Sequence, residues 1–264
     1  MRDQPTDFHR GISARAWHDI EGGPEIAYFR DVIAASGEPV LDAGCGAGRL
    51  LLPWLEDGVD VDGADVSPDM LDLCRSKAAK RGLTPRLFEQ PMHALDLPRQ
   101  YRTVIVCGAL GLGTTQEEDA EALRRTFAHL LVGGTLAVDF ETPWTDPDQW
   151  RAWTTEGRNE LPIPFGSGSG TLEDGTEYRW SWTLQFVDPF DRMVLRRARY
   201  EVLRDGQVVD VEERELRERW HFPTELRVLL ERAGFADVRI EAGYEHRAPT
   251  PDDRFAVMLA RKPA

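Results

Sequence analysis

Cysteine is scarce in this 264-residue chain, with only Cys45, Cys74 and Cys107. An odd, small number in apolar or glycine-rich surroundings argues against a disulfide framework. No Cys/His cluster has metal-ligand spacing, so no metal site is expected. An apolar run of roughly 18 residues is also missing, and Met1-Arg2-Asp3-Gln4 opens no cleavable signal. The expectation is a soluble, cytoplasmic protein without membrane contact. Basic residues are the third deficit: 32 Lys and Arg stand against 46 Asp and Glu, a net charge of −14. That balance repels phosphate backbones and anionic bilayers. Nucleic acid is therefore not expected as a partner, whereas a small neutral or cationic acceptor fits. There is no internal repeat, and low complexity is confined to Gly166-Ser167-Gly168-Ser169-Gly170. The length suits one α/β domain with an insertion.

What is present centres on Val40-Leu41-Asp42-Ala43-Gly44-Cys45-Gly46-Ala47-Gly48-Arg49. An apolar strand breaks into alternating glycines ahead of a helical pattern, Leu50 to Leu55. Glycines at 44, 46 and 48 permit positive φ and close backbone approach, and the amides at the helix start favour an electron-rich group. A second strand, Val59 to Ala64, ends at Asp65, where a ribose diol falls in a doubly wound sheet. A dinucleotide fingerprint requires glycine at 49, where Arg49 stands, so a nicotinamide-dependent oxidoreductase is disfavoured.

Along the chain, residues 1–23 read as a polar N-terminal arm whose Trp17 has the ligand cleft as its nearest apolar hole. Pro24 opens a helix carrying Ile26, Phe29 and Ile33, closed at Gly37. Helices are predicted over 47–56, from Ser67-Pro68 to Gly82, over 117–131 and over 224–233. Strands are predicted at 39–43, to Asp65, at 86–89, 103–107, 136–140, 236–240 and 255–260. With no helix between them, the last two should pair antiparallel. From 142 to 221 the period changes to strand alternation. Tyr178, Trp180, Trp182, Leu184 and Phe186 fall on one face of the first of three predicted antiparallel strands, lying against the carboxyl edge of the parallel sheet. The fold class is thus α/β: a Rossmann-like seven-stranded sheet with an antiparallel last pair, plus an antiparallel β insertion after strand five. Residues 24–141 and 222–264 form the main domain and 142–221 a lid.

The GxGxG turn, Asp65-Val66-Ser67-Pro68-Asp69-Met70-Leu71, Gly133-Gly134-Thr135-Leu136 and Ala233-Gly234-Phe235 together resemble class I S-adenosylmethionine-dependent methyltransferases. The layout is similar to bacterial small-molecule members, including sugar N-methyltransferases of antibiotic pathways. The resemblance implies S-adenosylmethionine as cofactor and S-adenosylhomocysteine as product. It implies that Asp42, Gly44, Gly46 and Gly48 border the cofactor's amino-acid half, that Asp65 takes the ribose hydroxyls, and that Val66 and Met70 flank the adenine. Gln90 stands where such enzymes place an acid near the adenine amine, Met92 offers its backbone to the ring, and Cys107 and Gly108 border the methionyl ammonium.

Methyl transfer needs in-line alignment in a dry cleft, and aromatic faces tolerate a sulfonium charge. Trp17, Trp144, Trp150, Trp153, Trp180 and Trp182 are candidates for that wall. His18, His221 and His246 are candidate bases. His93 and His129 are set aside. Glu141 is a candidate for holding a cationic substrate and Arg15 for the cofactor carboxylate. The expected activity is methyl transfer to nitrogen or oxygen of a secondary metabolite by a monomer or homodimer. A chain that binds S-adenosylmethionine or S-adenosylhomocysteine without methylating, as a regulatory or partner protein, is the alternative.

Overall fold

In the computed structural model, which describes residues 8–18 and 22–264, the first helix is α1 (Gly11–His18). Its sequence is poor in helix signals; its backbone amides are instead met by carboxylates from elsewhere. Gly11 N–H donates to Asp69 (2.9 Å), and Ile12 and Ser13 donate to Glu212 (3.2 and 3.1 Å). Tertiary partners therefore make a helix where the sequence predicts an arm.

Next come α2 (Pro24–Ser36), β1 (Val40–Ala43), α3 (Leu51–Glu56), β2 (Val61–Asp65), α4 (Pro68–Lys80), β3 (Arg86–Glu89), β4 (Tyr101–Val106), α5 (Gln116–His129) and β5 (Leu130–Glu141). Pro24 and Pro68 sit in the first turns of α2 and α4, and Ser67 caps α4 through Met70 N–H. Thr115 and Glu118 form a reciprocal capping box on α5. α3 starts at Leu51, later than the glycine pattern predicts, because residues 44–50 are spent on the turn.

After β5 lie two short helices, α6 (Pro147–Arg151) and α7 (Thr155–Asn159), then β6 (Ile163–Thr171), β7 (Glu177–Asp188), β8 (Met193–Arg204) and β9 (Gln207–Arg219). The chain closes with α8 (Pro223–Ala233), β10 (Ala236–Ala242) and β11 (Phe255–Arg261). The large sheet runs β10-β11-β5-β4-β1-β2-β3, with β11 antiparallel to both neighbours and the other pairs parallel. Helices α2, α3 and α4 cover one face through Phe29, Trp54 and Leu71; α5 and α8 cover the other through Leu123, Leu226 and Leu230. The doubly wound form opens a crevice at the carboxyl ends of β1 and β4, where the strand order reverses.

The second sheet has four antiparallel strands, β6-β7-β8-β9, one more than the sequence predicts. The extra strand is the Gly/Ser stretch, recruited as an edge partner of β7. On β7 a register shift between Leu184 and Phe186 turns the alternation over, so Phe186 is exposed and Val187 takes the inward place. The sheet is pinned to the large sheet's edge by backbone bonds from Arg219 N–H to Gly111 O (2.9 Å) and from Gly113 N–H to Arg217 O (2.7 Å). Among the described residues, no helix is long and apolar enough to cross a membrane.

Candidate functional site

β1 delivers its chain directly into the turn, where Gly44, Gly46 and Gly48 all have positive φ. Beside it lies a cavity of about 320 Å³ walled by the turn, the ends of β2 and β4, the loop after β3, and His9 and Trp17 from the α1 region. Asp42, Gly44, Gly46, Asp65, Val66, Met70, Gln90, Met92, Cys107 and Gly108 all line it, together with Trp17. The turn is held open by Asp65, which accepts from Gly46 N–H through one oxygen and from Ser67 N–H through the other, both at 2.8 Å. Burial raises its carboxyl above the usual range against those bonds. Each oxygen keeps a further lone pair for a hydroxyl donor.

Asp42 differs. It is buried, its Oδ2 has no partner, and burial followed by the nearby Asp65 charge pushes its carboxyl up to about 7. An orphaned carboxylate oxygen on a cavity wall fits a ligand that brings a cationic donor. The space beside it is set by glycine, since a Cβ on Gly44 would stand 2.4 Å from Ala109 Cβ. Arg49 also lines the cavity, paired with Glu25 and donating to Cys107 Sγ at 3.5 Å. Behind the β4 end, Asp139 accepts from Gly108 N–H (2.6 Å), Cys107 Sγ–H (3.1 Å) and Tyr244 O–H (2.7 Å). Burial and Asp139 keep the Cys107 thiol protonated, which excludes it as a nucleophile.

A smaller cavity of about 130 Å³ adjoins the first and shares Gly108, Ala109 and Leu112 with it. Asp139, Glu141, Glu218, Arg219 and His221 line it. Glu218 is paired with Arg196, yet burial dominates and, with Glu141 close by, holds its carboxyl above the usual range. Glu141 meets Arg254 at 3.0 Å. His221 is buried, with Nε2 3.0 Å from Asp119. Two of the residues singled out in the sequence, Glu141 and His221, therefore come together here.

Others do not. Arg15 reaches away from the cavity to Asp174, at 2.5 Å on the β6–β7 turn, and Arg49 occupies the wall instead. Gly48 faces the core: a Cβ there would lie 2.7 Å from Cys74 Sγ and 2.8 Å from Leu52 Cγ. Gln90 lines the cavity, but its amide is closed onto the Asp96 backbone, accepting from N–H (2.8 Å) and donating to C=O (3.2 Å). His246 is stacked on Tyr28 and bonded to Glu241 (2.9 Å), beside α2 rather than at either cavity. The side chain of His18 lies outside the described residues. Trp144 stacks on Phe222 and Trp153 lies against Trp220; with Trp150, Trp180 and Trp182 they line neither of these two cavities, leaving Trp17. Sequence reasoning missed His9, Arg49, Asp139 and Thr114. Arg49 alone left a local signal, a cation directly after the glycines. His93, set aside above, lines the first cavity, whereas His129 accepts from Leu97 N–H at 2.9 Å as a packing group.

Residues 40–134 match the sequence model of the family described as "Methyltransferase domain". The ribosomal protein L11 methyltransferase of Pseudomonas paraeruginosa (strain DSM 24068 / PA7) is 38% identical over 108 residues, covering 40% of this chain and 36% of that protein. The chain spans about two fifths of the length of the curated relatives it matches, 43% and 36% for two of them. Among solved structures, the CcbJ methyltransferase from Streptomyces caelestis is similar over 100% of both chains, with 25% identity and a TM-score of 0.72. The sugar N-methyltransferase KedS8 from Streptoalloteichus sp ATCC 53650 shares the fold over 97% of this chain and 94% of its own, at 17% identity and a TM-score of 0.68.

Proposed function

The chain carries a class I S-adenosylmethionine-dependent methyltransferase domain, and on that premise we propose that it methylates a nitrogen or oxygen of a small secondary metabolite, with nitrogen preferred. The observation that carries this reading is the pair of adjoining cavities with Gly108, Ala109 and Leu112 as their common wall. The first is the cofactor's and the second the acceptor's. Likeness of fold to a sugar N-methyltransferase supports the acceptor class.

The residues present fit the cofactor. The orphaned Asp42 Oδ2 suits its ammonium, Arg49 its carboxylate, Asp65 its ribose hydroxyls, and Val66, Met70 and Met92 its adenine. Gln90 contributes by holding the loop at Asp96. When bound, S-adenosylmethionine supplies a methyl carbon already activated by sulfonium charge. The chain then has to orient the acceptor and exclude water. Residues 142–221 act as the lid, 24–141 with 222–264 as the cofactor domain, and the described residues 8–18 as a strap. Glu141 and Glu218 face this small cavity already paired with Arg254 and Arg196, and the net charge of −14 is what favours a cationic amine over a neutral hydroxyl. A binding protein without turnover would leave that second cavity unused.

Calorimetric titration with S-adenosylmethionine and S-adenosylhomocysteine tests the reading, with Asp65→Ala as control. Micromolar binding lost in the variant is expected, followed by methyl transfer to members of an amine panel ahead of phenols. Failure of the folded protein to bind either nucleoside would overturn it.

A further inference from the structure

The wall of the acceptor cavity carries His221, whose buried carboxylate partner Asp119 the methyl-transfer reading does not use. Asp119, in the first turn of α5, is 1% exposed, and His221, just after β9, is 4% exposed. Asp119 Oδ2 lies 3.0 Å from His221 Nε2, and its Oδ1 accepts from Thr114 Oγ1–H at 2.5 Å. A carboxylate can only accept, so the Nε2 edge carries the proton of a neutral ring and Nδ1 carries the lone pair. That Nδ1 is buried and without a partner, on a side chain that lines the acceptor cavity.

We propose that Asp119 and His221 form a carboxylate–imidazole pair whose bare Nδ1 takes the proton of the methyl acceptor, with His221 the catalytic base and Asp119 its positioning residue. The inference rests on the second cavity being the acceptor site. In the step it serves, an N–H or O–H bond of the acceptor breaks and an N–H bond forms at Nδ1. The electron pair stays on the acceptor atom, and Asp119 balances the imidazolium charge. The charged groups facing the ring are Asp119 from α5, Arg219 (Nε 3.6 Å from Asp119 Oδ2) and Glu218 from β9, and Asp139 and Glu141 from β5 across the cavity. Glu218 and Glu141 already hold ion pairs with Arg196 and Arg254, and Asp119 is the carboxylate bonded to the ring.

The test is long-range ¹H–¹⁵N correlation on the full chain labelled at histidine, saturated with S-adenosylhomocysteine. At about pH 8 His221 should be the Nε2–H tautomer, and on acidification it should gain its proton at Nδ1. Asp119→Asn removes the partner charge while keeping an amide acceptor, so with a turned-over amine kcat should fall while KM and S-adenosylhomocysteine affinity hold. An Nδ1–H tautomer in the unmodified chain overturns the proposal without any variant; so does a kcat that Asp119→Asn leaves in place. With an amine that is turned over, His221→Gln should lower kcat at least ~10²-fold while S-adenosylhomocysteine affinity stays the same. A loss under about threefold sinks the base role. A chain that binds the nucleoside but shows the wrong tautomer rejects this inference alone. One that does not bind it rejects the methyl-transfer reading and this inference with it.

Discussion

Asp42 shows how a single residue ties the proposed cofactor cavity to pH. Its folded carboxyl titrates near 7 because burial disfavours the charge. The sign follows: the folded chain holds a proton there that the unfolded chain has already released. Stability from this group is thus present at acid pH and is lost as pH rises from about 4 through 7. An ammonium placed against Oδ2 favours the ionised form, so binding releases that proton. S-adenosylhomocysteine affinity should therefore rise with pH by about fivefold between pH 6 and 7. Asp42→Asn should flatten that slope in calorimetry. An unchanged slope would place the ammonium elsewhere. Gly48 makes the opposite point. Read from the motif it borders the cofactor, yet its φ of +84° and the nearby Cys74 and Leu52 make it a packing glycine. Gly48→Ala should lower unfolding stability in urea by about 1–3 kcal/mol and leave saturable nucleoside binding intact. Lost binding at unchanged stability would return Gly48 to the cavity. Gly44, Gly46 and Asp65 were legible because turn and strand end are fixed by local spacing. The exchange of Arg15 for Arg49 was not, because side-chain reach across a cleft leaves no period in the sequence.

At the scale of elements, the parallel strands and their helices could be read from apolar runs and caps, since each buries its own face. The second sheet was legible only in part. β7, β8 and β9 alternate visibly, but β6 is glycine and serine, with no hydrophobic pattern to report its pairing. The shift that exposes Phe186 is a cross-strand event that one strand's sequence cannot encode. Backbone bonds between Arg219 and Gly111 and between Gly113 and Arg217 help hold this sheet over the site, beside the ion pairs of Lys80 with Glu173 and Arg192 with Glu225. Gly111 has φ +86°, and a Cβ there would lie 2.4 Å from Arg219 O, so only glycine allows the two chains to bond. Gly111→Ala should break both bridging bonds. Its arginine-rich strands should then be cut by trypsin several-fold faster, with methyl transfer falling more than nucleoside binding. Equal cleavage rates in the two proteins would show that packing alone seats the sheet.

For the whole molecule, the question is what unites two sheets with different cores. Helix α1 sits where they meet. Its first amides bond to Asp69 on α4 in the large-sheet half and to Glu212 on β9 of the second sheet, while Phe8 packs in the second sheet's core, 5.3 Å from Trp182. His9 and Trp17, from the same segment, line the larger cavity, and burial holds the His9 imidazole down to about 4, so it faces that cavity uncharged. Cofactor binding and closure of the two halves should therefore be coupled through α1. In the full chain, S-adenosylhomocysteine at about 100 times its Kd should stabilise folding by about 2.7 kcal/mol, read as a rise in Tm. Deleting residues 1–18 removes α1 but none of the described strands. Far-UV dichroism should stay close to that of the full chain, while affinity weakens by at least about tenfold, roughly 1.4 kcal/mol. The Tm shift at the same nucleoside concentration should shrink accordingly. A truncated chain that keeps the full shift would show that the glycine turn and the strand ends bind the nucleoside alone, and that α1 serves only to seat the second sheet.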